Sequence, residues 1–116
     1  MSGKPLQLFW FTMLVLAYSS LARGEESDEG IVAPPPARQA ELLNFVRQDC
    51  GSCHGLLLEG GFGTPLSPSA LAGKPAEALK DTILHGRYGT AMPPWESFLT
   101  ESEAGWIVQM LQKGLP

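Results

Sequence analysis

The two cysteines of this chain lie three positions apart and are followed directly by a histidine, which gives the pattern Cys50-x-x-Cys53-His54. On a helical turn, positions i, i+3 and i+4 share one face. Two thiols and one imidazole on one face match the two vinyl groups and the iron of a single porphyrin, and Cys-x-x-Cys-His is the attachment pattern of haem c. The pattern therefore predicts one covalent haem c, with thioether bonds to Cys50 and Cys53 and with His54 as an axial iron ligand.

Three other uses of a cysteine pair fit the sequence less well. A redox-active Cys-x-x-Cys of thioredoxin type lies near a βαβ pattern, and no strand-rich segment flanks residues 50–54. A disulfide between Cys50 and Cys53 would close a loop of only two intervening residues and add little stability. A zinc site would need two further ligands, and His85 is the one histidine left besides His54.

The first 24 residues have the organisation of a secretory signal peptide. Lys4 gives a positively charged start, and an almost unbroken apolar run extends from Leu6 to Ala17. This run is shorter than the about 20 apolar residues of a membrane span. Small residues predict cleavage near residues 22–24, and an uncleaved N-terminal anchor is the alternative. In both cases the functional domain is exported, and after cleavage no stable membrane insertion is expected.

The rest of the chain divides into an acidic, proline-rich lead-in, residues 25–36, and a globular domain, residues 37–116. Removal of residues 1–24 takes Lys4 and Arg23 and changes the net charge from −4 to −6. An acidic chain is poorly suited to bind nucleic acid. The lead-in is expected to be mobile or polyproline-like. A domain of 80 residues has a marginal core of its own, so the haem is expected to complete it.

Three amphipathic helices are predicted in the globular domain, and no alternating run is long enough for a strand. The first covers about residues 37–50, with Pro36 at its start, and the second about residues 76–84. The third follows the capping-box sequence Thr100-Glu101-Ser102-Glu103 and ends at Gly114. The sequence therefore predicts an all-α fold, with about three to four helices wrapped around one haem.

Two long segments rich in glycine and proline separate these helices, residues 59–69 and 86–94. Without a cofactor, loops of this length are unusual in so small a core. We interpret them as straps that pass close over the two faces of a flat porphyrin, which brings its own apolar surface. The 13 glycines and 10 prolines of the chain then have a structural use.

Met92, in the second of these segments, is the expected second axial ligand. Pro93 and Pro94 stiffen the chain directly after it, which favours a weak thioether–iron bond in water. Met110 lies on the third helix, where a methionine more often fills core space. His85, at the end of the second helix, would instead give a bis-histidine iron. A His/Met iron has a raised reduction potential and both axial positions filled, which favours electron transfer over the binding of small molecules.

Taken together, these motifs resemble those of the class I cytochromes c. The resemblance covers residues 42–113 and includes the haem motif, Ala70-Leu71-Ala72-Gly73, Ile83-x-x-Gly86, Met92-Pro93 and the closing helix. Within this class, the chain resembles the NirC-type small monohaem cytochromes associated with cytochrome cd nitrite reductase in denitrifying bacteria. Four segments carry this closer resemblance: residues 71–79, 83–87, 89–95 and 106–108.

The resemblance implies a periplasmic, non-enzymatic carrier of single electrons in denitrification. The protein would donate electrons to cytochrome cd nitrite reductase, accept them from the dehydrogenase that matures the d-type haem, or do both. A small acidic carrier is expected to dock transiently on a basic patch around the haem of its partner. The alternatives are a general periplasmic electron carrier, a haem-based sensor or enzyme with an open iron site, and an assembly protein that carries haem for stability.

The resemblance also assigns structural roles. A proline carbonyl after the haem motif is expected to accept a hydrogen bond from the His54 ring, with Pro65 favoured over Pro68. The first and last helices are expected to cross at Leu42, Val46, Ile107 and Leu111. Four side chains are candidates for contacts with the haem propionates, with ordinary surface or packing positions as the alternative: Arg87, Trp95, Tyr88 and Lys74. Two apolar side chains are candidates for partner contact at the haem edge, with packing of the loop as the alternative: Phe62 and Leu66.

Overall fold

A computed structural model of the chain describes residues 30–116, so the predicted signal peptide lies outside the described residues. The described part contains helices and loops but no strand, which confirms the predicted all-α fold. None of its helices is long and apolar enough to cross a membrane. In chain order the elements are α1 (Pro36–Phe45), a π-helical turn (Val46–Cys50), α2 (Gly51–His54), α3 (Pro68–Leu71), α4 (Ala76–His85) and α5 (Glu101–Lys113).

The first predicted helix continues without a break into the haem motif. α1 begins at Pro36, whose fixed φ suits the first turn of a helix. The π-helical turn follows, and the N–H of Gly51 donates to the carbonyl of Val46, five residues back instead of four. α2 then ends at His54. The extra residue in the π-helical turn shifts the direction in which Cys50 and His54 leave the helix, which a regular helical period does not predict.

The middle of the chain forms one predicted helix and one that the sequence did not indicate. α4 starts where predicted and ends one residue later, at His85, where Gly86 follows with φ 72°. α3 is a single turn that begins at Pro68, and Ser67 Oγ caps it by accepting from the N–H of Ala70 at 3.3 Å. A helix of one turn, such as α3, is too short for the spacing of its apolar residues to indicate a helix in the sequence.

The predicted capping box starts α5. The N–H of Glu103 donates to Thr100 Oγ1 at 3.2 Å, and the N–H of Thr100 donates to the Glu103 carboxylate at 2.9 Å. Gly114, with φ 94°, follows the last turn. Six residues of α5 are buried: Ala104, Gly105, Trp106, Ile107, Val108 and Leu111. α1, α3 and α4 all contact α5, which is therefore the helix on which these three pack.

The core lies where α1 packs on α5. Leu42, Val46 and Ile107 are each 1% exposed and belong, with Leu111, to one buried apolar cluster. α1 contacts α5 directly. This is the arrangement that the resemblance to class I cytochromes c implies. Burial of one such side chain stabilises a fold by about 1.5–3 kcal/mol.

The compact unit begins at Ile31, earlier than the predicted boundary at residue 37. Ile31 is half-buried against the core and lies where α5 has no side chain: a Cβ added at Gly105 would be 3.2 Å from Ile31 Cδ1. Ser102 Oγ donates to the carbonyl of Val32, and Gln39 Nε2 donates to the carbonyl of Pro34. The last residues of the proline-rich lead-in are thus bound to α1 and α5.

An ion pair links the start of α1 to the start of α5. Arg38 Nε donates to Glu103 Oε1 at 2.6 Å, and Arg38 also pairs with Glu41. The hydrogen bond from Arg38, followed by the bond from the Thr100 backbone, lowers the pKa of Glu103 below its ordinary value.

We expect Glu103→Gln to make stability less sensitive to acid. Because the pKa of Glu103 is lower in the folded state, its carboxylate stabilises the fold at pH values above the pKa of a glutamate in the unfolded chain, about 4.3. This stabilisation is lost as the pH falls through the lower folded value. Denaturant unfolding at a series of pH values measures the effect, and wild type should lose more free energy of unfolding on acidification than Glu103→Gln. Glu41→Gln is the matched control for a carboxylate beside Arg38, and equal losses in wild type and Glu103→Gln would contradict the prediction.

Candidate haem site

One continuous stretch of helix presents the three residues of the haem motif. Cys50 ends the π-helical turn, and Cys53 and His54 lie in α2. Both thiols are free, Cys53 exposed and Cys50 packed in part against the core cluster. Burial, with a smaller contribution from the charge of Asp49, raises the pKa of the Cys50 thiol to about 11.

The ring of His54 is held by a backbone carbonyl. His54 Nδ1 lies 2.6 Å from the carbonyl oxygen of Thr64, so the Nδ1–H donates to that oxygen. This bond fixes the tautomer and leaves Nε2 as the nitrogen that can bind a metal, as the carbonyl and carboxylate partners of metal-binding histidines do. The sequence prediction of Pro65, with Pro68 as the alternative, was wrong for this acceptor.

The register of the loop explains why the acceptor is Thr64. The N–H of Gly63 donates to the carbonyl of Cys53 at 2.7 Å, which lays Gly63 flat against the imidazole. A Cβ at Gly63 would be 2.7 Å from His54 Nδ1. The next carbonyl along the chain, that of Thr64, therefore meets the ring, and Pro65 lies beyond it. Glycine at position 63 thus allows a close approach of the loop to the histidine ring.

Met92 lies in a closed loop, which we call the methionine strap and define as residues 86–94. The N–H of Arg87 donates to the carbonyl of Met92 at 3.2 Å and joins the two ends of the strap. The N–H of Trp95 then bonds to the carbonyls of Ile83 and Leu84, which ties the strap to α4. The Met92 side chain is half-buried.

The two other candidates for the second axial ligand have different surroundings. Met110 is half-buried on α5 and packs against the core cluster. His85 is exposed at the end of α4, and its Nδ1 lies 3.5 Å from a carboxylate oxygen of Glu96.

Trp95 has a packing role, which is one of the alternatives that the sequence left open for it. Its ring meets Phe45 edge to face, with centroids 4.9 Å apart, and meets Phe98 at 5.8 Å. Trp95 is half-buried and belongs to the residues that pack against the core. The aromatic contacts join α1 to the segment after the methionine strap and so fix one end of that strap.

The remaining predicted site residues lie on loops. Leu66 packs against the core cluster, whereas Phe62, beside the haem motif, is 84% exposed. Pro65 lies against Gly60, at which a Cβ would be 3.3 Å from Pro65 Cγ. Three of the residues proposed to contact haem propionates are exposed: Lys74, Arg87 and Tyr88. Their contact with the haem stays a prediction.

The donors in this part of the chain fit one haem c. Two free thiols match two thioether bonds, and His54 offers Nε2 because Thr64 occupies Nδ1. Within residues 30–116, no three His, Cys, Asp or Glu side chains are gathered as a zinc site requires. Apolar side chains next to the motif, Leu56 and Leu57, are about four-fifths exposed.

Comparisons with known proteins match the same stretch of chain. The family described as "Cytochrome C oxidase, cbb3-type, subunit III" matches residues 37–111. Cytochrome c55X of Paracoccus denitrificans is 57% identical over 84 residues, which are 71% of this chain and 82% of that protein. Cytochrome c55X of Pseudomonas aeruginosa is 54% identical over 81 residues, which are 70% of this chain and 68% of that protein. The chain belongs to the cytochrome c55X family.

A solved structure described as "c-type cytochrome NirC" has the same fold, with a TM-score of 0.69 and 52% identity over 71% of this chain and 96% of that one. It confirms the class I cytochrome c fold and the NirC-type resemblance. A "Dihydro-heme d1 dehydrogenase" of Pseudomonas aeruginosa is 39% identical over 73 residues, which are 62% of this chain and 15% of that larger protein. As a member of this family, the chain binds haem c covalently.

Two glycines of the methionine strap provide a matched test of its packing. Gly86 and Gly89 have almost the same φ, 72° and 74°. A Cβ at Gly86 would lie 2.7 Å from the Met92 carbonyl oxygen and 2.9 Å from backbone atoms of Pro93 and Pro94, whereas a Cβ at Gly89 would meet nothing within 4 Å.

We expect Gly86→Ala to destabilise the protein more than Gly89→Ala. Gly86, at φ 72° and ψ −168°, lies in a backbone region that is essentially confined to glycine, so an alanine there is strained by about 1–3 kcal/mol. The collision at Gly86 adds about 1–3 kcal/mol, whereas alanine at Gly89 carries the strain of its positive φ alone, about 1–2 kcal/mol. Urea unfolding of the two haem-containing variants measures the difference. Equal losses of unfolding free energy in the two variants would contradict the close packing of Gly86 against the backbone of Met92, Pro93 and Pro94.

Proposed function

We propose that this chain is a periplasmic carrier of single electrons that serves cytochrome cd nitrite reductase, the maturation of its d-type haem, or both. The haem supplies a one-electron iron couple when bound. The relatives named cytochrome c55X and the structure named NirC support a small electron carrier of this system. The similarity to one segment of a dihydro-heme d1 dehydrogenase supports the link to haem d1.

The periplasmic location is part of the proposal. It is supported by the signal-peptide pattern of residues 1–24 and by the haem motif, since haem c is attached outside the cytoplasm. Cleavage near residues 22–24 would leave an acidic chain with a net charge of −6. We propose that such a chain docks on a basic surface of its partner, with Phe62 in the contact because its side chain is 84% exposed beside the haem motif.

His54 and Met92 are the proposed axial ligands. The observation that carries the carrier function is the hydrogen bond from His54 Nδ1 to Thr64, because it leaves Nε2 as the ring nitrogen that can bind the iron. Met92 is supported by its half-buried position in a closed strap, and Met110 is disfavoured by its packing against the core. When the chain supplies both ligands, no position is open for a small molecule, so electron transfer is favoured over sensing or catalysis.

Replacing each methionine in turn tests the ligand. We expect Met92→Ala to abolish the long-wavelength sulfur-to-iron charge-transfer band of the oxidised protein and to let the reduced protein bind CO. Met110→Ala is the matched control: it should keep the band and lose about 0.5–3 kcal/mol of stability, because Met110 is half-buried against the core. Loss of the band in Met110→Ala, or its absence from wild type, would contradict the proposal. A wild type without the band that binds CO or NO readily would favour the sensor or enzyme.

Stopped-flow spectroscopy with the two partners tests the function. We expect the reduced protein to pass electrons to cytochrome cd nitrite reductase, or the oxidised protein to accept them from dihydro-haem d1 dehydrogenase with its substrate bound. The rate constant should fall as salt rises, because opposite charges steer the encounter. Reduction of the carrier by ascorbate is the control for a competent haem. A competent carrier that exchanges electrons with neither partner would instead favour a general carrier or an assembly protein, and a rate that rises with salt would contradict the basic docking surface.

A further inference from the structure

We propose that Thr90 is a positioning residue whose hydroxyl holds the backbone of Met92 in the orientation from which its sulfur reaches the iron. The proposal rests on the proposed function, since it takes Met92 as the second axial ligand. It assigns a specific structural task to the third residue of the segment Tyr88-Gly89-Thr90-Ala91-Met92.

The Thr90 hydroxyl joins the two ends of the methionine strap. Thr90 Oγ1 donates to the carbonyl of Arg87 at 2.8 Å and accepts from the N–H of Met92 at 3.3 Å. A hydroxyl can fill both roles at once because it carries one donor and two acceptor lone pairs. The backbone N–H of Thr90 also donates to the Arg87 carbonyl, at 3.1 Å.

These bonds fix both backbone groups of Met92. Its N–H is held by Thr90 Oγ1, and its carbonyl accepts from the N–H of Arg87. The Met92 side chain therefore leaves the strap from a Cα whose two flanking peptide units are both restrained. Pro93 restrains the chain further, since its ring fixes φ directly after the methionine.

Restraint of the Met92 backbone strengthens the binding of its thioether sulfur, which is a weak ligand of iron. The bond between a thioether and iron competes with an open strap in which the sulfur has left the metal. Ordering the strap in advance reduces the entropy that sulfur binding has to overcome. Without the hydroxyl the open strap becomes more populated. A single hydrogen bond of ordinary net strength changes such an equilibrium about two- to tenfold.

Added imidazole measures how often the strap is open. Imidazole binds the oxidised iron only when the sulfur has left, so its apparent dissociation constant is inversely proportional to the open fraction. We expect Thr90→Val, which replaces the hydroxyl by a methyl group of similar size, to bind imidazole about two- to tenfold more tightly than wild type. Thr90→Ser retains the hydroxyl and should bind imidazole as wild type does.

A second threonine supplies the control for loss of a hydroxyl elsewhere. Thr82 Oγ1 donates to the carbonyl of Ala78 within α4, at 2.9 Å. Thr82→Val should leave imidazole binding unchanged. Thr90→Ala also removes the hydroxyl and should tighten imidazole binding as Thr90→Val does. If one of the two variants incorporates haem poorly, the other still tests the proposal.

The outcomes separate this inference from the proposed function. If wild type lacks the sulfur-to-iron band, the ligand assignment fails and the inference fails with it. If wild type has the band and loses it in Met92→Ala, but a Thr90 variant without the hydroxyl binds imidazole as wild type does, only the inference is overturned. Equal tightening in Thr82→Val would also overturn it, because the effect would then reflect general destabilisation.

Discussion

The hydrogen bond from His54 Nδ1 to the Thr64 carbonyl is the contact on which the candidate haem site depends. It joins the helix that carries the two cysteines to the loop that follows them, and it selects which ring nitrogen is free. The same loop returns to the haem motif through the bond from Gly63 to Cys53 and continues to Leu66, which packs against the core. The position of one imidazole is thus coupled to the backbone of the loop and, through it, to the apolar core.

In the loop after the haem motif and in the methionine strap, a glycine lies at the closest contact with a predicted iron ligand. At Gly63 a side chain would collide with the His54 ring, and at Gly86 it would collide with the backbone of Met92. In each loop a backbone hydrogen bond then holds the approach that glycine permits, from Gly63 to Cys53 and from Arg87 to Met92. In both loops, a glycine and a backbone hydrogen bond therefore bring the chain close to a predicted iron ligand.

Local signals in the sequence were sufficient to predict the haem motif, the capping box at Thr100 and the all-α class, because each depends on residues within one or two helical turns. Features set by contacts between distant segments were not predicted. The acceptor for His54 depends on the bond from Gly63 to Cys53, which shifts the expected carbonyl by one residue. The docking of Ile31 depends on the missing side chain of Gly105, far along the chain.

The π-helical turn was missed for a different reason. Leu42 and Val46 are four residues apart and both buried, so the apolar stripe of α1 continues into the turn and conceals the inserted residue. The insertion is visible in the backbone hydrogen bonds, since the N–H of Gly51 bonds to the carbonyl of Val46, five residues back, as well as to that of Gln48. Such turns occur often at functional sites, where they change the direction of a side chain without ending the helix. Here the turn comes directly before the haem-binding residues.

Stability and ligand placement are carried by different sets of interactions. Apolar packing between α1 and α5, with the bonds of Arg38 and Thr100 to Glu103, holds the helices together. Hydrogen bonds and glycines in exposed loops set the directions of His54 and Met92. Tyr88, on the strap, is fully exposed, so a change of its side chain removes no contact with the core.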